Sequence, residues 1–121
     1  MKKFLNLFLS IALALGMASI ASAQSTGPTK VVYHIDDAET QGLKGLRNIR
    51  NHLDVSPQTT IMVVTHANGV DLLMEGAKDK KNNVEYAALV SALKSRGVKF
   101  EVCEITLKNR NLKKDQFILD A

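Results

Sequence analysis

TIMVVTHANG, residues 60–69, is the stretch that decides how this chain folds. Its four consecutive apolar residues, 61–64, are typical of a strand buried on both faces within a parallel sheet. The HANG segment, residues 66–69, predicts a turn at the carboxyl end of that strand. A short helical turn is expected over residues 70–74, followed by a charged loop over residues 76–82.

Upstream of this strand, the sequence predicts one strand and one helix. VVYHI, residues 31–35, is a compact run of β-forming residues, and the two aspartates after it are suited to capping a helix. A helix is expected over residues 38–53, where Gly42 and Gly45 lower the helix propensity but permit close packing on a sheet. Its apolar residues recur at three- and four-residue steps: Leu43, Leu46, Ile49 and Leu53.

Downstream, the pattern predicts a second helix over residues 84–94 and a third strand over residues 98–103. This third strand alternates apolar with polar side chains, which indicates one buried face and one wetter face. Cys103 falls on the wetter face by this count. A short basic helix is expected over residues 106–114, and a further apolar stretch begins at residue 117.

The order strand-helix-strand-helix-strand predicts an α/β fold, with a small parallel sheet and helices on both of its faces. A domain of about a hundred residues buries only some two-thirds of its unfolded surface and is marginally stable alone. We therefore expect another copy of the chain to cover the exposed sheet face or edge, giving a homo-oligomer.

Residues 1–23 have the features of a cleavable export signal. Two lysines precede an apolar run over residues 4–20, and Ala21-Ser22-Ala23 supplies the small-residue cleavage pattern. We expect residues 24–29 to be a flexible leader and residues 30–121 to be the α/β domain. This organisation predicts a periplasmic or secreted protein without a membrane anchor once the signal is removed. The alternative is an uncleaved anchor, although the run is near the lower length limit for a span.

Charge and aromatic content exclude several classes of partner. The chain has 16 basic and 12 acidic side chains; without Lys2 and Lys3, residues 24–121 carry 14 and 12, a net charge of +2. A net charge this small gives no reason to expect nucleic acid or an anionic membrane as a partner. There is no tryptophan, and aromatic residues make up 5% of the chain, so stacking of nucleotides or flavin has little support. No cofactor is expected.

Cys103 is the only cysteine, so an exported chain cannot close an internal disulfide. Its thiol is either packed and inert, paired with another molecule, or kept available for chemistry. The helix beginning after it and basic residues such as Arg110 favour the thiolate, whereas two nearby glutamates oppose it. The residues alone leave the direction of the pKa shift open.

His34, His66 and Cys103 each lie near the carboxyl end of a predicted strand, and these ends meet at one edge of a parallel sheet. Two imidazoles and a thiolate can bind zinc or copper, or a histidine can help form the thiolate. The alternatives are a buried core role for His34 and a capping role for His66. No metal is favoured.

Asn68 and Gly69 follow the second strand at the start of a helical turn with free backbone amides. Such a turn can hold an anion or the terminal sulfur of a persulfide. The alternative is an ordinary capped turn, in which Gly69 permits a positive φ and Asn68 caps the helix.

Three segments together resemble the DsrE/DsrF-like family, and in particular its small exported members. These segments are VVYHID (residues 31–36), THANGVDLL (65–73) and GVKFEVCEITLKNR (97–110). The resemblance implies a flavodoxin-like α/β sandwich that is usually oligomeric, and a sulfur atom carried as a cysteine persulfide. Members of this type continue through another strand, a turn and a final helix, whereas this sequence ends where that strand would begin.

The resemblance implies that Cys103 accepts a sulfur atom. His66, Asn68 and Gly69, which follow the second predicted strand, are the candidates for flanking the thiol. We expect an exported sulfur carrier rather than a turnover enzyme, exchanging sulfur with a partner protein thiol or a small sulfur compound. The alternatives are a non-catalytic oligomeric scaffold of the cell envelope, in which the cysteine is merely packed, and a metal-binding protein using His34, His66 and Cys103.

Overall fold

The computed structural model describes residues 27–118 and residue 121. The predicted signal peptide, residues 1–23, lies outside the described residues, as does Leu119 of the last apolar stretch. Within the described part, no helix has both the length and the apolar character needed to cross a bilayer.

A three-stranded parallel sheet forms the centre of the molecule, in the order β1 (Lys30–Asp37), β2 (Thr60–Asn68) and β5 (Lys99–Val102). The central strand β2 pairs with β1 from Lys30 opposite Thr60 onwards, and with β5 from Met62 opposite Lys99 onwards. The parallel α/β fold predicted from the sequence is confirmed. The five strands are β1 (Lys30–Asp37), β2 (Thr60–Asn68), β3 (Lys78–Asp79), β4 (Val84–Glu85) and β5 (Lys99–Val102).

Helix α1 (Leu43–Val55) follows β1 after a π-helical turn, Ala38–Gly42. Asp37 caps this turn, because its Oδ1 accepts a hydrogen bond from the Glu39 backbone N–H at 2.8 Å. The other helices are α2 (Tyr86–Ser95) and α3 (Glu104–Asn109), with 3-10 turns at Gly69–Leu73 and Lys114–Gln116.

The core lies between one face of the sheet and helices α1 and α2. The predicted apolar face of α1 is buried as expected, and Gly45 lets this helix approach β1 so closely that an added Cβ would lie 3.2 Å from Ile35 Cδ1. Each fully buried aliphatic or aromatic side chain contributes about 1.5–3 kcal/mol. The sheet contributes Ile35, Ile61, Val63 and Phe100 to this core, and Val98 joins them directly before β5.

The opposite sheet face is much less covered. On the edge strand β1, Val32 is 65% exposed, and His34 is also exposed. Met62 and Val64 on β2 are half-buried. The sequence predicted helices on both faces of the sheet. In the described part of the chain, mainly one of these two faces is buried.

Several boundaries differ from the sequence predictions because pairing extends or replaces the expected elements. Strand β2 continues to Asn68, which pairs with Asp37 after a bulge, so residues 66–68 are strand rather than turn. The loop predicted at 76–82 contains β3, which pairs with β4 in antiparallel orientation. Because β4 occupies Val84–Glu85, helix α2 begins at Tyr86 rather than at residue 84. The helix predicted at 106–114 instead spans Glu104–Asn109, and the chain leaves helical geometry at Asn111, with a φ of 52°.

Tyr86 links α2 to the π-helical turn before α1 through a buried hydrogen bond. Its hydroxyl donates to the Ala38 carbonyl at 3.2 Å, and the side chain is 2% exposed. Burial, followed by the carboxylates of Asp79, Glu39 and Asp37, raises the pKa of Tyr86 to about 12. The neutral hydroxyl is therefore retained in the folded protein far above neutral pH.

Tyr86→Phe should destabilise the fold by about 1 kcal/mol, because the Ala38 carbonyl loses its buried donor. Wild-type stability should also fall between pH 10 and about 12, where the unfolded tyrosine ionises before the folded one does. Urea unfolding across this range measures both effects. An unchanged midpoint at neutral pH, or the same alkaline loss in the variant, would contradict the assigned role.

Candidate functional site

Cys103 lies directly after β5 at the carboxyl edge of the parallel sheet. Its backbone N–H donates to the Thr65 carbonyl at 3.0 Å, which extends the pairing with β2 by one residue. Its side chain is half-buried, so the thiol is not sealed in the core. The same residue occupies the N-cap position of α3. The end of the strand and the start of the helix together fix where the sulfur lies.

Thr106 has the largest effect on the pKa of the Cys103 thiol, although the cysteine side chain forms no cap hydrogen bond at the start of α3. The backbone N–H of Thr106, followed by its hydroxyl, lowers the pKa of the Cys103 thiol by hydrogen bonding to the thiolate. Desolvation opposes this shift, the Ile105 N–H adds to it, and the Glu104 carboxylate opposes it; the net direction is downward. Cys103 is therefore more readily ionised than an ordinary thiol.

The Thr106 hydroxyl also ties Cys103 to the end of β2. Thr106 is 7% exposed, and its Oγ1 accepts a hydrogen bond from the Ala67 backbone N–H at 3.0 Å. A hydroxyl has one proton to donate, and accepting from Ala67 leaves that proton for the thiolate. Ala67 has a φ of 49°, so the strand end adopts an unusual backbone conformation at this contact.

Thr106 was missed as a functional residue in the sequence analysis, which looked to charged neighbours for activation of the thiol. The available signal was spacing, since a residue three positions after an N-cap presents its backbone N–H to the capping side chain. The sequence Cys103-Glu104-Ile105-Thr106 has that spacing.

Arg110 does not act on the thiol as the sequence suggested. Its Nη2 lies 2.8 Å from Asp71 Oδ1, and its Nη1 donates to the Ala67 carbonyl at 3.0 Å. Arg110 thus joins the segment after α3 to the 3-10 turn after β2. Together with Thr106, it holds Ala67 by both its N–H and its carbonyl group.

His34 and His66 are brought together on the less covered sheet face. Their ring centroids are 4.1 Å apart, with an angle of 39° between the ring planes. His34 is exposed, so the expected alternative of a core histidine is wrong, whereas His66 is half-buried. The Nε2 atom of His66 is shielded from solvent and has no hydrogen-bond partner among the described residues.

The described residues contain no group of three or more His, Cys, Asp or Glu side chains close enough to hold a metal ion. His34 and His66 are in contact as a pair. His66 follows Thr65, the residue that receives the Cys103 N–H, and this places the histidine on the strand next to Cys103.

Gly69 is fitted against the backbone of β1. A Cβ added there would lie 2.0 Å from the Ile35 carbonyl oxygen, a separation that real atoms do not adopt. The expectation that Gly69 supplies a positive φ is wrong, because Ala67 adopts the positive φ in this segment. Asn68 is exposed and its side chain makes no capping hydrogen bond. The observed role of Gly69 is close packing of the 3-10 turn on β1.

The fold and the site define a small α/β protein with a single cysteine at the carboxyl edge of its parallel sheet. The thiol of this cysteine is half-buried and has a lowered pKa. The sequence model of the DsrE/DsrF-like family matches residues 9–121, and the chain belongs to that family. It is also similar to a solved structure, the protein of unknown function MTH1491 from Methanobacterium thermoautotrophicum. The two are 30% identical with a TM-score of 0.67, over 77% of this chain and 78% of that one. No protein of curated function matches the chain.

Proposed function

We propose that this protein carries sulfur on Cys103 as a persulfide. The observation that supports the proposal most directly is the position of a half-buried thiol at the carboxyl edge of the sheet, where Thr106 lowers its pKa. Membership of a family associated with sulfur relay supports it further. The thiolate is the nucleophile in sulfur exchange, and a low pKa also makes Cys103 a better leaving group when the sulfur is passed on.

The two exchange steps balance without an added oxidant or reductant. In the first, the Cys103 thiolate attacks the outer sulfur of thiosulfate, a sulfur–sulfur bond forms, and sulfite leaves with the electron pair of the broken bond. In the second, an acceptor thiolate attacks the terminal sulfur of the Cys103 persulfide, and the Cys103 thiolate leaves. A persulfide donor would serve equally in the first step, with its thiolate as the leaving group.

A groove of about 340 Å³ lies beside β5 and is lined by Val102 and Glu104, the residues on either side of Cys103, but not by Cys103 itself. The remaining lining residues are Glu101, Leu107, Lys114, Phe117 and Ala121.

Intact-mass measurement after exposure to thiosulfate, or to a small-molecule persulfide, tests the proposal. We expect a mass increase of one sulfur atom that a thiol reductant removes and that a partner thiol accepts. Cys103→Ser should show no increase. A wild-type protein that stays unmodified, or a serine variant that gains the same adduct, would rule out the carrier.

The alternative function is an oligomeric scaffold in which Cys103 is only packed. The exposed Val32 on the less covered face favours an interface of some kind, whether or not the thiol reacts. Alkylation of Cys103 in the folded protein separates the two functions. The carrier requires labelling without unfolding, whereas the scaffold predicts labelling only at the rate of global opening.

We also propose that a second copy of the chain covers this sheet face. Val32, Met62 and Val64 form an apolar centre, with both signs of charge on β5 at Lys99 and Glu101. Two copies related by a two-fold axis can pair such a face with itself, apolar centre on apolar centre and opposite charges across the contact.

Light scattering coupled to size exclusion tests the self-association. Val32→Glu should convert the oligomer to monomer, because a carboxylate would be buried in the apolar contact. Val55→Glu is the matched control, since Val55 is 87% exposed at the end of α1 and away from the sheet. A wild-type monomer, or equal behaviour of the two variants, would remove the proposed interface.

Export to the periplasm or out of the cell is proposed from residues 1–23 alone. Fractionation followed by mass measurement should give a mature protein beginning at Gln24. A full-length protein in the cytoplasmic fraction would contradict this location.

A further inference from the structure

A polar groove lies between helix α1 and the β3–β4 hairpin, with a volume of about 400 Å³. Helix α1 contributes a stripe of side chains three and four residues apart, which places them on one face of the helix. These are Lys44, Arg47, Asn48 and Asn51. None of the residues lining this groove takes part in the Cys103 site.

The hairpin side of the groove is an ordered turn. Asp79 is 4% exposed, and its Oδ2 accepts hydrogen bonds from both the backbone N–H and the side-chain amide of Asn82, at 2.7 and 2.8 Å. The Asn83 N–H closes the turn on the Asp79 carbonyl at 2.7 Å. Lys81 and Asn82 line the groove from this turn.

The charges in the groove are unbalanced. Of the two acidic residues that line it, Glu39 pairs with Lys80 at 3.1 Å, whereas Asp79 is hydrogen-bonded to the neutral amide of Asn82 and keeps its negative charge. In contrast, Lys44, Arg47 and Lys81 form no ion pair within the part of the chain that the structure describes. The three cations therefore outnumber the carboxylates that line the groove, and a bound anion would balance the excess positive charge.

We propose that this groove binds a small ligand carrying phosphate or sulfate groups. Arg47 presents a planar fork of N–H donors suited to two oxygens of one such group, and the two lysines add point charges. The side-chain amides of Asn48, Asn51 and Asn82 can donate to the remaining oxygens and accept from hydroxyl groups of the ligand. The site is independent of the proposed sulfur chemistry.

Amide chemical shifts of the ¹⁵N-labelled protein, titrated with inorganic pyrophosphate, test the proposal. Saturable shifts are expected for residues of α1 and of the 79–83 turn, with an affinity that falls as sodium chloride is added. Separate titrations with sulfate and with ribose 5-phosphate distinguish a free oxyanion site from one that also recognises a sugar.

Two triple variants with the same loss of charge provide the comparison. Lys44→Gln combined with Arg47→Gln and Lys81→Gln should weaken binding by about tenfold or more, because the groove loses its three unpaired cations. The matched control replaces three exposed lysines outside the groove with glutamine and should bind like the wild type. Equal weakening in both triples, or wild-type shifts that are unsaturable and spread over the surface, would overturn the proposal. The control positions are Lys30, Lys108 and Lys113.

Discussion

Thr106→Val should slow the alkylation of Cys103 several-fold near neutral pH. The variant keeps the shape of the side chain and the backbone N–H but removes the hydroxyl that donates to the thiolate. The pKa of Cys103 should therefore rise, and less thiolate is present at a given pH below it. The rate of iodoacetamide labelling, measured from pH 5 to pH 10, reports the midpoint of the thiol titration directly.

The direction of the pH dependence follows from the lowered pKa. Wild-type labelling should reach its plateau at a lower pH than a free thiol and should fall as the pH drops through the pKa of Cys103. In Thr106→Val the plateau should be little changed, while the midpoint moves upward. A change in plateau without a change in midpoint would show that the substitution alters access to the sulfur rather than its ionisation.

Thr106→Ser is the control that separates the hydroxyl from general damage to the fold. Serine keeps the donor to Cys103 and the acceptor for the Ala67 N–H, so its titration midpoint should stay near that of the wild type. Circular dichroism at each pH verifies that the variants remain folded. A serine variant that behaves like valine would contradict the role assigned to the hydroxyl.

The main elements of the fold could be predicted because their signals are local. The buried run at 61–64 defines β2, and the three- and four-residue spacing from Leu43 to Leu53 defines the inner face of α1. The alternation from Val98 to Cys103 also correctly separated the buried Phe100 from the exposed Lys99 and Glu101. In each case the side chains within one element carry the information.

The features that could not be predicted depend on contacts between distant parts of the chain. The β3–β4 pairing has only two residues on each strand, too few to give a period. The contact of Thr106 with Ala67 spans 39 positions, and the approach of Gly69 to Ile35 depends on how the turn after β2 meets β1. Tertiary packing decides these positions, so residue type alone indicated a generic turn or an ordinary cap.

The two parts of the candidate site, Cys103 and the pair of histidines, are positioned by different contacts. The backbone of Cys103 is placed by β5 and by its hydrogen bond to the Thr65 carbonyl, and Thr106 lowers the pKa of its thiol. The histidines instead contact each other on the open sheet face. If that face is an interface, as proposed, His34 and His66 belong to the self-association surface, and the sulfur role rests on Cys103, which follows β5 at the carboxyl edge of the same face.

Gly69→Ala should be among the most destabilising single substitutions in this protein, by about 3 kcal/mol. The new methyl group would lie 2.0 Å from the Ile35 carbonyl oxygen and 2.6 Å from its carbon. Both neighbours are backbone atoms of a paired strand, so neither can rotate away as a side chain would. The end of β1 would have to separate from the turn after β2, and the region that supports Cys103 would be disturbed with it.

Comparing the urea unfolding of Gly69→Ala with that of Gly76→Ala distinguishes this steric clash from an effect of backbone strain alone. Gly76 has a φ of 71°, but nothing lies within 4 Å of an added Cβ, so its replacement should cost only about 1 kcal/mol for the backbone strain. Gly69 has the opposite combination, an ordinary φ and no space. If the two variants lose equal stability, or if Gly69→Ala unfolds close to the wild-type midpoint, the 3-10 turn does not pack on β1 as closely as described.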